Sequence, residues 1–257
     1  MLISITSTGP DATNLGFVLH KHPDRLRTVS VSHGMAHVFY PEASPERCTA
    51  TLMVEIDPIA LSRRTKDSRS HNLEPYVNDR PYAASSILSG VIRHVFGSAL
   101  AGRCEARPEL VERAVDLEVE LPVVPVRGGE HTLRRLFEPL GYEIDCWPLP
   151  LDPEFPDWGD SPYFRLRLTA CQTVQRMLEH LFVLLPVLDD RKHYWIGAAE
   201  VDKLLRRAGT WLGDHPDNEL IVRRYLRFGD LARDALARLE DGVSDTDAAD
   251  EANDEAE

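Results

Sequence analysis

VDLEVEL, residues 115–121, is the stretch of this sequence that decides the fold class. Apolar and acidic residues alternate along it with a period of two, which is typical of a β-strand with one buried face. TVSVS at residues 28–32 and TATLMVEI at residues 49–56 alternate in the same way, and YFRLRLT at residues 163–169 is also strand-like. A proline-rich loop, Pro148–Pro162, is predicted before this last strand. Strands are therefore expected in both halves of the chain.

Helical periodicity separates these strands. The clearest helix is Ala83–Leu100, whose apolar residues recur at helical spacing. Glu130–Leu140 predicts a second helix that ends at Gly141, and Thr173–Leu185 predicts a third. Residues 198–239 are predicted to be helical throughout. The sequence thus indicates an α+β fold, with mixed or antiparallel strands, helices packed on them and a mostly helical C-terminal part.

Length and composition suggest a soluble domain followed by a tail. The chain has 257 residues, of which 43% are hydrophobic and 28% charged. We expect one domain over residues 1–239, with a division into two α+β halves at about 1–105 and 106–239 as an option. Residues 240–257 carry nine acidic residues and no basic one, which predicts a disordered linker.

Charge and cysteine usage limit the classes of partner and compartment. The formal net charge is −13, but residues 1–239 carry only −4, so their charge does not indicate nucleic-acid binding. The four cysteines are far apart and form no C-x-x-C pair, which favours reduced thiols in a cytoplasm. The N-terminus lacks the features of a secretory signal, and no apolar run reaches the roughly 20 residues of a membrane helix.

Motifs for common enzyme chemistry are absent from the sequence. There is no G-x-x-x-x-G-K-[ST] phosphate loop, no K-x-[DN]-G nucleophile run and no G-x-G-x-x-G turn after a strand. These absences narrow the possible chemistry, and they predict no catalytic, cofactor-binding or metal-binding residue.

Two short segments combine charged and aromatic residues. In LLPVLDDRKHYWIG, Leu184–Gly197, the charges could perform acid–base chemistry through Asp189, Asp190 and His193. The segment could equally be a solvated linker anchored in the core by its aromatics, or an interface, since Tyr, Trp and Arg are enriched at binding hot spots. A second cluster precedes the Ala83 helix, where an N-cap is the favoured interpretation. The candidate partner-interface residues are Asn78, Asp79, Arg80, Tyr82, Lys192, His193, Tyr194 and Trp195.

Several longer blocks resemble a known family. The resemblance is carried by LGFVLHKHPDR (15–25), VNDRPYAASSILS (77–89), LRRLFEPLGYE (133–143), FPDWGDSPYFRLRL (155–168) and VLLPVLDDRKHYWIG (183–197). These blocks resemble the N-terminal region of the bacterial 3′-terminal RNA ribose 2′-O-methyltransferases. They do not resemble the methyltransferase domain, and the E-x-x-E-H-H metal-binding run of that domain is missing.

The resemblance implies a non-catalytic, ligase-activating module. It implies that the chain binds a bacterial polynucleotide kinase–phosphatase and an RNA ligase in a hetero-oligomeric repair complex, and that it activates ligase adenylation. S-adenosylmethionine and a divalent metal are expected only in a C-terminal domain that this sequence lacks. The alternative is an RNA-binding module that presents cleaved RNA ends to the methyltransferase, which the arginines of YFRLRLT would permit.

Overall fold

The computed structural model of the 257-residue chain describes residues 1–32, 34–57, 85–190, 198–226 and 229–240. It consists of two compact units, Met1–His193 and Tyr194–Glu257. The first unit contains the sheet and the helices packed on it, and the second unit is helical in its described part. The C-terminal linker predicted at residues 240–257 lies outside the described residues except for its first position.

The described strands form one antiparallel sheet of seven strands. Their order is β2-β3-β4-β1-β5-β7-β6, so strands from both sides of residue 105 share a single sheet. The VDLEVEL stretch lies in β5, between β1 and β7. The strands are β1 (Leu2–Thr8), β2 (Arg27–Val31), β3 (Gly34–Ala43), β4 (Arg47–Ile56), β5 (Val115–Pro125), β6 (Glu143–Pro150) and β7 (Asp160–Gln172).

One face of this sheet is apolar and buried. Pairing registers place five residues in a row across β4, β1, β5, β7 and β6, and each of them is buried: Ala50, Ile5, Val119, Leu168 and Ile144. Because side chains alternate between faces along a strand, the polar residues of VDLEVEL fall on the opposite face. The period-two pattern of the sequence therefore predicts the buried face correctly.

The α-helices in the described part of the first unit are α1 (Asn14–Val18), α2 (Ser85–Val95), α3 (Gly97–Leu100), α4 (Gly129–Phe137) and α5 (Val174–Asp189). The α5 helix is buried along nearly its whole length and packs against α2, α3, α4 and β5. The helix predicted over Ala83–Leu100 is interrupted at Phe96, whose backbone leaves the helical region. Residues 83 and 84 lie outside the described residues.

The α4 region ends as the sequence predicts. A single turn of 3-10 helix, Glu138–Leu140, continues α4, and Gly141 follows with φ of 84°. Glycine adopts this left-handed conformation without the steric cost that a Cβ atom imposes, which explains its use after a helix.

The α5 helix extends further than the sequence predicts. The prediction of an end at Leu185 was wrong: the helix continues through Pro186 to Asp189. A proline inside a helix has no N–H for the carbonyl four residues earlier, which here is that of Phe182. The buried Ser89 of α2 donates its hydroxyl to this carbonyl at 2.6 Å. A side chain from a neighbouring helix thus replaces the backbone donor that proline removes.

The second unit contains α6 (Ala198–Leu212), α7 (Asn218–Leu226) and α8 (Gly229–Glu240). The α8 helix packs against both α6 and α7. Arg238 of α8 donates a hydrogen bond of 2.7 Å to Asp202 of α6. These helices confirm the prediction of a mostly helical C-terminal part, and the seven-stranded sheet confirms the α+β class.

Candidate functional site

The eight residues predicted as a partner interface lie outside the described residues, so their prediction stays a prediction. They are Asn78, Asp79, Arg80, Tyr82, Lys192, His193, Tyr194 and Trp195.

Asp189 and Asp190, which precede the predicted interface residues 192–195, lie within the described residues at the end of α5. Asp189 is the last helical residue and is buried. Asp190 follows in the left-handed conformation with φ of 50°, and its carboxylate lies 3.7 Å from the Arg127 guanidinium. The backbone N–H of Arg127 also donates to the carbonyl of Leu188 at 2.8 Å. This arrangement fastens the end of α5 to the segment that follows β5, which is a structural role.

Histidines of the first unit have separate partners. His20 Nε2 donates to the carbonyl of Arg103 at 2.6 Å, and His37 Nδ1 lies 3.1 Å from the hydroxyl of Thr28. In the part of the chain that the structure describes, no three His, Cys, Asp or Glu residues are grouped as metal ligands.

The polar face of the sheet carries a network of ion pairs on its central strands. Arg165 of β7 donates to the carboxylate of Glu120 in β5, with Nε at 3.0 Å. Glu118 lies two residues before Glu120 in β5. Its carboxylate accepts a hydrogen bond from Arg47 of β4 at 3.2 Å and lies 4.0 Å from the Arg167 guanidinium. The two arginines of YFRLRLT therefore face glutamates across the β5–β7 pairing.

Trp147 extends this network to the edge strand β6. It lies directly opposite Arg165 in the pairing register, and 44% of its surface is exposed. The guanidinium carbons of Arg165 and Arg167 lie 5.5 and 5.9 Å from the centre of its ring. Both distances are within the range of cation–π attraction. The two arginines are thus held by carboxylates and by an aromatic ring at once.

The segment that joins β6 to β7 is a hairpin with exposed aromatic residues. Residues 151–160, named here the aromatic hairpin, begin where the N–H of Leu151 donates to the carbonyl of Gly159 at 2.9 Å. Within it, Phe155 and Trp158 stack with ring centres 4.6 Å apart and planes inclined by 13°. Phe155 is 49% exposed, Trp158 60% and Leu151 57%. An aromatic pair held in a fixed orientation on the surface is a candidate binding surface.

The aromatic hairpin is also strongly acidic. It contains Asp152, Glu154, Asp157 and Asp160 and no basic residue. Asp152 accepts a hydrogen bond of 2.8 Å from the backbone N–H of Glu154, which closes a local turn. None of the four carboxylates forms an ion pair with another residue in the described ranges. Their charge is therefore available to a partner.

The sequence interpretation missed this site because it assigned Pro148–Pro162 to a loop. The strands continue into that range from both ends, to Pro150 and from Asp160. What remains between them is a short tip that contains a 3-10 turn, Pro156–Trp158. Proline suits the first position of this turn because its φ angle is already close to the helical value. Its lack of an N–H costs no hydrogen bond there, since the first N–H groups of a helix have no partner within the helix. The positions of Phe155 and Trp158 on either side of Pro156 are the sequence feature that could have indicated this site.

An antiparallel sheet that presents exposed, stacked aromatic residues on an edge hairpin has the features of a binding module. Residues 1–240 match the sequence profile of one family, described as the RNA repair, ligase–Pnkp-associating region of Hen1. The chain belongs to this family.

Solved structures support the fold. The chain resembles a chain of the "Structure of the Pnkp1/Rnl/Hen1 RNA repair complex" with a TM-score of 0.57 and 13% identity, over 94% of this chain and 56% of that one. A second match, "Structure of Pnkp1/Rnl/Hen1 complex", has a TM-score of 0.57 and 12% identity, over 94% of this chain and 55% of that one. The chain thus spans about half the length of these relatives. No curated protein sequence matches it.

Among the described helices, none combines the length and apolar character that crossing a membrane requires.

Proposed function

We propose that this chain is the non-catalytic module through which a bacterial RNA 3′-terminal ribose 2′-O-methyltransferase binds an RNA-repair ligase and kinase–phosphatase and activates ligase adenylation. The observation that carries the proposal is the family match over residues 1–240, because the family is described by its association with the ligase and Pnkp. Methyl transfer, with its S-adenosylmethionine and divalent metal, belongs in this proposal to another region of the parent protein.

Activation of a ligase by a non-catalytic partner has a simple physical basis. A ligase whose adenylation-competent conformation is rarely populated reacts slowly on its own. A partner that binds this conformation more tightly shifts the population by its differential affinity, and about 5.5 kcal/mol converts a 1:99 distribution to 99:1. The module needs to contribute only a binding surface to exert this effect.

The alternative of direct RNA binding is disfavoured by the charges of the described residues. The arginines of YFRLRLT are paired with Glu118 and Glu120 across the sheet. The hairpin that carries the exposed aromatic residues contains four acidic residues and no basic one, and carboxylates repel phosphates. Exposed aromatics that stack RNA bases normally lie in a basic groove.

The experiment is ligase self-adenylation with radiolabelled ATP, with and without the intact chain. We expect the adenylated fraction formed at a fixed time to rise when the chain is added at a concentration above its Kd. An equal amount of an unrelated acidic protein controls for non-specific effects. An unchanged rate of adenylation, with complex formation shown in the same mixture, would remove the activating role and leave only association. Salt-dependent affinity of the isolated chain for RNA would favour the alternative.

A further inference from the structure

We propose that the aromatic hairpin docks onto the RNA ligase, in an apolar groove bordered by Lys and Arg residues. This inference rests on the proposed function, because it names the surface and the partner chemistry of the association proposed there.

Exposed apolar surface is unusually concentrated at this hairpin. Leu151, Phe155 and Trp158 lie within eight consecutive residues, and each of them is about half exposed or more. Single exposed apolar residues are ordinary on protein surfaces, whereas a stacked pair of exposed aromatic residues with an exposed leucine a few residues away is typical of a binding site. Tryptophan is also the residue type most enriched at binding hot spots.

The hairpin is organised before any partner binds. Hydrogen bonds at the base of the tip, the 3-10 turn and the stacking of Phe155 on Trp158 hold the two rings in one arrangement. Ser161 contributes a further link, since its hydroxyl donates to the carbonyl of Leu149 at 2.8 Å. A surface that is already ordered loses less conformational entropy on binding, so more of its contact energy appears as affinity.

Charge identifies the chemistry of the partner. The ten residues of the hairpin that carries the aromatic pair contain four carboxylates and no base. This combination disfavours an acidic or phosphate-rich partner surface and complements a basic one. An enzyme that binds the RNA backbone presents Lys and Arg residues around its RNA-binding surface. The ligase of the proposed complex is such an enzyme, and a groove beside its RNA-binding surface satisfies both the apolar and the acidic parts of the hairpin.

Two double variants separate the contribution of the aromatic pair from that of the acidic residues. Phe155→Ala with Trp158→Ala removes the aromatic pair, and Leu26→Ala is its control because Leu26 is 66% exposed outside the hairpin. Asp157→Asn with Asp160→Asn removes two exposed charges. Its control is Glu105→Gln with Glu112→Gln, which neutralises two exposed carboxylates elsewhere.

The measurement is the Kd of the full chain for the purified RNA ligase, by calorimetry at low and moderate salt. Removal of the aromatic pair is expected to raise the Kd by about 30-fold or more, as hot-spot residues do. Neutralising the hairpin charges is expected to raise the Kd by a smaller factor and to reduce its salt dependence. The control variants are expected to bind as the unsubstituted chain does, and all variants to keep its thermal midpoint.

The outcomes are distinguishable. If the unsubstituted chain binds the ligase and the aromatic variant binds equally well, the hairpin is not the docking surface and the proposed function stands. If the same calorimetry with the kinase–phosphatase or with RNA shows that the aromatic variant loses affinity for one of these and keeps its affinity for the ligase, the named partner is wrong. If the unsubstituted chain binds neither repair enzyme, the proposed function fails and this inference fails with it.

Discussion

The α5 helix and the aromatic hairpin use large side chains for opposite purposes. Along α5 nearly every residue is buried, and even the proline inside the helix has its missing donor replaced by Ser89. In the hairpin, Phe155 and Trp158 contact each other while about half of their surface stays in solvent. The difference indicates that burial of α5 contributes to the free energy of folding, whereas the exposed aromatic pair of the hairpin is available for recognition.

The largest expected contrast is in stability. Leu181→Ala in α5 removes a side chain that is fully buried, and we expect it to lower the free energy of unfolding by about 2–5 kcal/mol through lost burial and a residual cavity. Trp158→Ala is expected to change it by no more than about 0.5 kcal/mol, because the side chain is largely exposed. Urea unfolding of both variants measures the contrast. Similar losses for the two would mean that the hairpin belongs to the folding core.

A smaller effect is expected at the proline of α5. Ser89→Ala leaves the buried carbonyl of Phe182 without its hydroxyl donor, and we expect a loss of about 1–3 kcal/mol. Pro186→Ala restores the N–H that an α-helix normally uses, so the cost of Ser89→Ala should be lower in that background. A double-mutant cycle by chemical unfolding measures this coupling. Additive losses in the two backgrounds would contradict the proposed replacement of one donor by the other.

Two cysteines of the sheet provide a further contrast between a buried and an exposed side chain, and it can be measured by chemical reactivity. Cys48 is buried, and this burial raises the pKa of its thiol to about 11. Cys171 is exposed, and a hydrogen bond with Asp116 raises the pKa of its thiol. A raised pKa keeps a thiol protonated and unreactive until the pH passes through it. We therefore expect iodoacetamide at pH 8 to modify Cys171 first and to leave Cys48 intact, as read by peptide mass spectrometry. Early modification of Cys48 would show that β4 opens readily.

Sequence patterns predicted the parts of the fold that obey a simple period. Alternation in VDLEVEL and TATLMVEI predicted buried strand faces, and Gly141 predicted the end of the α4 region. The extension of α5 was missed because the donor that compensates for Pro186 is Ser89, 97 residues earlier in the chain. A local pattern does not reveal such a contact.

The candidate site escaped prediction for a similar reason. Prolines at positions 148 and 150 suggested a loop, yet β6 is an edge strand, where a proline is tolerated because its missing N–H can face away from the sheet. That Phe155 stacks on Trp158 depends on the hairpin that brings the rings together. Family resemblance, by contrast, was readable from the sequence because it rests on residue identity along much of the chain.

The most direct test of the central claim is amide hydrogen exchange of the chain with and without the RNA ligase. We predict slower exchange at residues 151–160 in the complex, while the amides of α5 exchange as slowly with the ligase as without it. Exchange at the hairpin that is unchanged by a ligase concentration sufficient to form the complex would contradict the claim that this surface docks on the ligase.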